Sequence, residues 1–175
     1  YNVYLNDPRN INLGKKLITD KKILIEKERL KEINETEYHE ILINHTTPYS
    51  PFDILENKSL LLENNFDNLN AIDWDKGCYV GQEITARMKY RGLLKKKLYA
   101  LKIKSGDVLE GDELIVDNKK IGTIVSKANS NIFAALNINF VNEIKNKNQN
   151  LVINDSLSFD FLNWKFFSIK TYWNY

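Results

Sequence analysis

Short strand-like segments fill the chain after Gly92, and they are its strongest constraint on the fold. They alternate apolar and polar residues or consist of short β-branched runs, and no convincing helix interrupts them. The segments are Leu98–Lys104, Leu114–Val116, Ile121–Val125, Asn131–Val141 and Phe159–Tyr172. Residues 117–120 (DNKK) make a good hairpin turn between the second and third. This pattern predicts a small antiparallel β-barrel or sandwich.

The part of the chain before Gly92 mixes helix and strand patterns. Residues 17–25 (LITDKKILI) hold two apolar runs around a polar turn, which predicts a hairpin or a strand-to-strand connection. Asn34 can cap a helix with Glu37 at the third helical position, and this helix should end near His45. The residues expected on one face of the helix are Tyr38, Ile41 and Leu42. The sequence therefore predicts an α+β region before Gly92.

Composition places the chain among ordinary globular proteins. Its 175 residues are 43% hydrophobic and 27% charged, with a formal net charge of +2. No apolar run approaches the roughly 18 residues of a membrane span, and the N-terminus lacks a signal-peptide pattern, so we expect a cytoplasmic protein without a membrane partner. The beginning at Tyr1, without an initiator methionine, indicates a fragment. A single cysteine excludes an intramolecular disulfide and cannot alone hold a metal, so no metal site is expected.

That cysteine, Cys78, lies in the stretch KGCYVGQE between two glycines. A lone cysteine is most often a buried small hydrophobe, which is the packing interpretation. Cations close in sequence, Lys76 and Arg87 among them, favour the thiolate, which is the nucleophilic and metal-binding form. Residue composition therefore leaves both a core thiol and a reactive or transiently metal-binding thiol open.

The polar pair that ends this stretch also has two interpretations. The amide of Gln82 and the carboxylate of Glu83 could bind the donor and acceptor edge of a heterocycle such as a pterin. Alternatively, Glu83 pairs with Arg87 four residues later on a helix surface. Composition alone favours the ion pair.

A run of cations follows the motif. Six of them lie within eleven residues without an acid: Arg87, Lys89, Arg91, Lys95, Lys96 and Lys97. Because apolar residues alternate with them, we expect one buried apolar side and one cationic side. The cationic side could be a solvated face, or it could bind a phosphate backbone or a polyanionic cofactor tail. His39 and His45 lack the spacing and neighbours of metal ligands and are interpreted as structural.

The complete motif KGCYVGQEITARMKYRG, followed by LLKKKL, resembles the YgfZ-type folate-binding proteins, relatives of the glycine-cleavage aminomethyltransferase (T-protein). Residues 63–74, Asp7-Pro8-Arg9, Leu13-Gly14 and the segment from Ile121 to Ser126 are similar to further elements of that family. The resemblance implies a partial T-protein-like α+β folate-binding region at residues 1–92, a C-terminal β-barrel domain at residues 93–175, and an N-terminal part that is absent here.

The resemblance also implies a function. Members bind tetrahydrofolate and support the assembly or repair of iron–sulfur clusters, including those of tRNA-modifying enzymes, so iron–sulfur client or assembly proteins are the expected partners. Cys78 is the candidate functional thiol. The residues carried over by position as cofactor-binding are Lys76, Gly77, Tyr79, Gly81, Gln82, Glu83 and Arg87. Lys16, Leu42 and Leu61 depart from the family pattern on the α+β side, and a lysine cannot reproduce the bidentate contact of an arginine.

Two other functions stay open from the sequence. The chain could belong to an aminomethyltransferase that passes a one-carbon unit to tetrahydrofolate, although T-proteins do not carry KGCYVGQE. It could also be an RNA-binding module that uses residues 87–97, but a net charge of +2 argues against direct nucleic-acid binding. We therefore expect an accessory protein rather than an enzyme.

Overall fold

The computed structural model describes residues 2–19, 31–147, 150–154 and 156–162 as a mixed α/β structure. The first elements are strands β1 (Asn2–Asn6) and β2 (Lys15–Thr19), with a 3-10 turn at Ile11–Leu13, and helices α1 (Glu35–Asn44) and α2 (Gln82–Tyr90). The later elements are β3 (Lys96–Ser105), β4 (Glu113–Val116), β5 (Lys119–Ala128), β6 (Asn131–Asn137), helix α3 (Ile138–Asn146), β7 (Leu151–Asn154) and β8 (Leu157–Phe161).

Six of these strands form one antiparallel sheet in the order β4-β5-β6-β3-β8-β7. The edge strands β4 and β7 also contact each other, so the sheet is nearly closed into a barrel. Its interior is apolar, with Leu101, Ile132 and Phe159 fully buried. The predicted antiparallel barrel is therefore confirmed in this coarse form, whereas the T-protein-like architecture and the division at residue 92 remain predictions.

The predicted hairpin between β4 and β5 is present and tighter than expected. Val116 pairs with Lys119, so the loop consists of two residues, and the other two predicted turn residues belong to β5. Asp117 and Asn118 both have positive φ, 49° and 60°. This backbone is typical of a type I′ turn, which matches the twist of the flanking strands.

The prediction of a strand from Asn131 to Val141 is wrong after Asn137. The side chain of Asn137 accepts hydrogen bonds from the backbone N–H groups of Asn139 and Phe140, which caps helix α3. Val141 and Ile144, three residues apart, are buried on one side of this helix. The short apolar run fits a helix as well as a strand, and the cap decides between them.

Helix α1 begins as the sequence predicts. Asn34 and Glu37 form a reciprocal capping box, in which each side chain accepts from the other residue's backbone N–H at 2.9 Å. The predicted buried face is right only at Leu42, because Tyr38 and Ile41 are exposed and the buried residues are His39, Leu42 and Ile43. The helix is rotated because it packs against β5 and β6.

Strands β1 and β2 form a separate two-stranded antiparallel sheet in which Val3 pairs with Ile18. The turn predicted at residues 20–22 and the apolar run after it lie outside the described residues, as does the predicted strand sequence from residue 163 onward. Within the described ranges, the helices are too short or too polar to cross a membrane.

Candidate functional site

The KGCYVGQE motif forms a loop that leads into the first turn of helix α2. Gly81 precedes the helix with a φ of 89°. Residues that carry a side chain rarely adopt this left-handed backbone conformation. The side-chain oxygen of Gln82 accepts a hydrogen bond from the backbone N–H of Tyr79 at 3.2 Å, which closes the loop. Gly81 and the side-chain amide of Gln82 therefore determine the local conformation of the loop.

Cys78 is exposed in this loop, and so is Gly77 beside it. A buried core thiol is therefore wrong as an interpretation of this cysteine. An exposed thiol can contact a partner or a ligand directly. No group of three or more histidine, cysteine or acidic side chains is placed to hold a metal ion in the described part of the chain.

Two cations of the site lie over aromatic rings. The Nζ of Lys89 is 3.5 Å from the ring centroid of Trp74, and the Nζ of Lys76 is 4.4 Å from that of Tyr79. Burial lowers the pKa of Lys89 below its usual range, although Asp75 and Asp67 act in the opposite direction. The contact of Lys89 with Trp74 joins helix α2 to the segment before the motif, whereas that of Lys76 with Tyr79 lies within the loop.

The motif loop, the segment before it and helix α2 border a shallow depression of about 110 Å³. It is lined by Ile72, Asp73, Trp74, Lys76, Tyr79, Gln82, Thr85, Ala86 and Tyr90. Pockets for drug-sized ligands usually have about 300–1,000 Å³. The depression is therefore too small to enclose a drug-sized ligand by itself, and Gln82 and Lys76 are the polar side chains of the motif that face it.

The acidic residue of the motif is already paired. A carboxylate oxygen of Glu83 is 2.5 Å from a guanidinium nitrogen of Arg87, four residues later, and both side chains are more than half exposed. The ion-pair interpretation of these two residues is confirmed. Such an exposed pair contributes about 0.2–0.5 kcal/mol to helix stability.

The cation run does not form one continuous basic face. Lys96 pairs with Glu63 and Lys97 with Asp67, both at 3.3 Å. The expected buried apolar side is also incomplete, because Met88 is buried whereas Tyr90 is 68% exposed. Leu93 is likewise exposed. Two of the cations expected to bind a phosphate backbone are therefore already paired with carboxylates of the same chain.

The segments DPR and LG, at the start of the described chain, lie against each other. The backbone N–H of Asp7 donates to the carbonyl of Gly14 at 2.9 Å, and its buried carboxylate accepts two hydrogen bonds from the side chain of Arg9. Lys16 lies 3.4 Å from the same carboxylate. Lysine at this position thus makes a single contact to Asp7, where an arginine could make two.

A buried polar cluster escaped the sequence-based prediction. Nε2 of His39 lies 2.9 Å from the carboxylate of Asp53, and the hydroxyl of Ser126 donates to the same oxygen. All three residues are buried. The structural role expected for His39 agrees with this position, but nothing in the sequence points to Asp53 and Ser126 as its neighbours.

Comparison with known proteins gives relatives but no matching family model. The chain is 34% identical over 121 residues to a mitochondrial iron–sulfur cluster assembly factor IBA57 homolog of Dictyostelium discoideum. It is 32% identical over 101 residues to the Mus musculus factor and 30% identical over 102 residues to the Homo sapiens factor. The chain is similar to iron–sulfur cluster assembly factors. These alignments cover 65%, 57% and 57% of the chain but only 30%, 28% and 28% of the relatives.

The similarity supports the expected relation to iron–sulfur cluster assembly factors. Membership of the YgfZ-type family remains a prediction. It also overturns one expectation. The cytoplasmic location expected from the absence of a leader pattern is wrong, because the relatives are mitochondrial proteins by name. The chain spans less than a third of the length of these relatives, so its first residues carry no information about a leader sequence.

Proposed function

We propose that this chain is the part of an iron–sulfur cluster assembly factor that brings a thiol to a partner-held cluster, and that the whole protein binds a reduced folate. The exposed position of Cys78 is the observation that carries the proposal. The similarity to iron–sulfur cluster assembly factors supports the same role. The enzymes served are proposed to be four-iron four-sulfur enzymes, including tRNA-modifying ones.

A single thiolate suits transfer better than storage. Iron–sulfur clusters are usually held by about four cysteine ligands, whereas the chain supplies one. Cys78 therefore acts as one additional ligand to a cluster whose other ligands belong to a partner. Its neighbours in the loop are glycine and exposed residues, so the approach of a second protein is not blocked within the described part of the chain.

The folate role rests on fewer contacts. Gln82 uses its side-chain oxygen within the loop, which leaves its NH₂ group as a donor toward a ring acceptor. Lys76 adds a cation at the same depression. We propose that these residues form one wall of a folate site whose remainder belongs to the longer protein.

Replacing the thiol tests the cluster role. Cells that lack the gene are supplied with the full-length protein, and the activity of a four-iron four-sulfur enzyme is measured. Cys78→Ser should leave that activity near the level of cells without the gene, whereas Ile115→Ser, at an exposed position of β4, should restore it fully. Full restoration by Cys78→Ser would refute the thiol role.

Ligand titration tests the folate role separately. Tetrahydrofolate is titrated into the full-length protein by calorimetry. Gln82→Ala should weaken binding by about three- to tenfold, since one hydrogen bond contributes about 0.5–1.5 kcal/mol. Ile115→Ser is the control. If the full-length protein binds no tetrahydrofolate, or if Gln82→Ala binds it as well as the unchanged protein, this assignment fails without affecting the role of Cys78.

A further inference from the structure

The outer side of helix α2 and the loop before it carry exposed apolar residues beside the thiol. Val80 is fully exposed, two residues after Cys78, and Ile84 is 60% exposed in the first half of the helix. Arg87 follows Ile84 by three residues on the same side of the helix, and Arg91 is the capping residue directly after the helix. We refer to Val80, Ile84, Arg87 and Arg91 as the α2 face.

From this arrangement we propose that the α2 face is the docking surface for an acidic protein that carries the cluster, an inference that rests on the proposed function. A thiol can ligate a cluster only when the cluster's carrier touches the protein surface around it. An apolar centre with charged surroundings is typical of such interfaces, in which a few central residues supply most of the binding energy.

The charge around the α2 face indicates the chemistry of the partner. Residues 74–95 contain five cations and two carboxylates. One of the carboxylates, Glu83, is already bound to Arg87. Arg91 and Lys95 are exposed and have no ion pair among the residues that the structure describes. A partner with acidic residues around an apolar patch therefore complements this surface.

An RNA partner fits the same surface less well. Binding of single-stranded nucleic acid combines cations with aromatic rings on which bases stack. The ring of Trp74 is covered by Lys89 and that of Tyr79 by Lys76. Val80 and Ile84 are aliphatic and offer no stacking surface, and the exposed ring of Tyr90 has the Nζ of Lys89 5.5 Å from its centroid.

The test measures binding of the full-length protein to purified cluster-carrying assembly proteins from the same organism, acidic and basic ones in parallel. An acidic carrier should bind, and Ile84→Ser should weaken its Kd by at least about tenfold, as expected for a central interface residue. Arg91→Glu should weaken it by a similar factor at low salt and by less at high salt. Ile115→Ser and Lys119→Glu are matched controls on the β4–β5 hairpin and should change Kd by less than about twofold.

Several outcomes overturn the docking surface. The proposal is wrong if no acidic carrier binds, or if Ile84→Ser and Arg91→Glu bind the carrier as well as the unchanged protein does. It is also wrong if basic carriers or RNA bind preferentially through these residues, or if the rest of the full-length chain buries Ile84. Enzyme activity in cells separates this failure from that of the proposed function. If Cys78→Ser is inactive while Ile84→Ser and Arg91→Glu are fully active, the surface is wrong and the thiol role stands.

Discussion

Asp7 illustrates how a single buried carboxylate can organise the chain around it. Hydrogen bonds from the side chain of Arg9 are the main reason that the pKa of Asp7 is held far below its ordinary value of 3.8, against the effect of burial. The backbone N–H of Arg9 and the charge of Lys16 act in the same direction as those hydrogen bonds. The ionised form is therefore the one that the fold stabilises.

Asp7→Asn should lower the free energy of unfolding at pH 7 by about 1–3 kcal/mol, because it removes charged hydrogen bonds from a buried site. A carboxylate with a lowered folded-state pKa stabilises the fold above its unfolded pKa, and this contribution is lost as the pH falls toward the folded pKa. The difference between the two proteins should therefore shrink below about pH 4. Urea denaturation over a pH series measures it.

Exposed Glu32→Gln is the control for this series and should change stability by less than about 0.5 kcal/mol. A difference between Asp7→Asn and the unchanged protein that stays constant down to pH 2 would contradict the linkage. Equal stability at pH 7 would show that the contacts of Arg9 and Lys16 contribute nothing measurable.

At the scale of elements, the β4–β5 hairpin depends on backbone that few residues adopt. Asn118 has a φ of 60°, which asparagine and glycine tolerate and β-branched residues do not. Asn118→Val should therefore cost about 1–2 kcal/mol of stability, whereas Asn118→Gly should change it by less than about 0.5 kcal/mol. Thermal denaturation of Asn118→Val and Asn118→Gly tests this prediction, with Lys119→Val in the extended strand as the control. Equal melting temperatures for the two Asn118 variants would refute it.

Gly122 has a different constraint, the close approach of strand β6. A Cβ at this position would lie 2.5 Å from the carbonyl oxygen of Ala135 and 2.5 Å from a methyl carbon of Leu136. Gly122→Ala should therefore lower the free energy of unfolding by about 1–3 kcal/mol. Gly77→Ala is the matched control, since a Cβ there meets nothing within 4 Å. Equal urea midpoints for the two variants would contradict the close approach.

The elements that the sequence predicts correctly are those with local determinants. The cap of α1 requires only Asn34 and Glu37, three residues apart, and the β4–β5 turn requires only adjacent residues. For helix α3 the sequence instead predicts a strand, because its apolar run fits both structures. The exposure of Cys78 could not be predicted, because it depends on the path of the loop before α2 and not on residue type.

At the scale of the whole molecule, the cluster around Asp53 joins parts that are distant in sequence. Its carboxylate contacts His39 of α1, 14 residues away, and Ser126 of β5, 73 residues away. It also accepts from the backbone N–H of Tyr49 at 2.7 Å. No periodicity or motif specifies pairs at such separations, so this connection between α1 and the sheet becomes visible only in the folded chain.

Loss of Asp53 should weaken this connection more than loss of either neighbour. Asp53→Ala leaves two buried donors and one partly buried donor without their acceptor and should cost at least about 3 kcal/mol, whereas Ser126→Ala removes one donor and should cost about 1 kcal/mol. Hydrogen exchange locates the effect. The amides of α1 should exchange well before those of β5 and β6 in Asp53→Ala, because the helix then loses its attachment through His39 and keeps only the hydrogen bonds of Glu40 and Asn44 with the β5–β6 turn, while the barrel core is unchanged. Uniform loss of protection across helix and sheet would mean that they unfold as one unit regardless of Asp53.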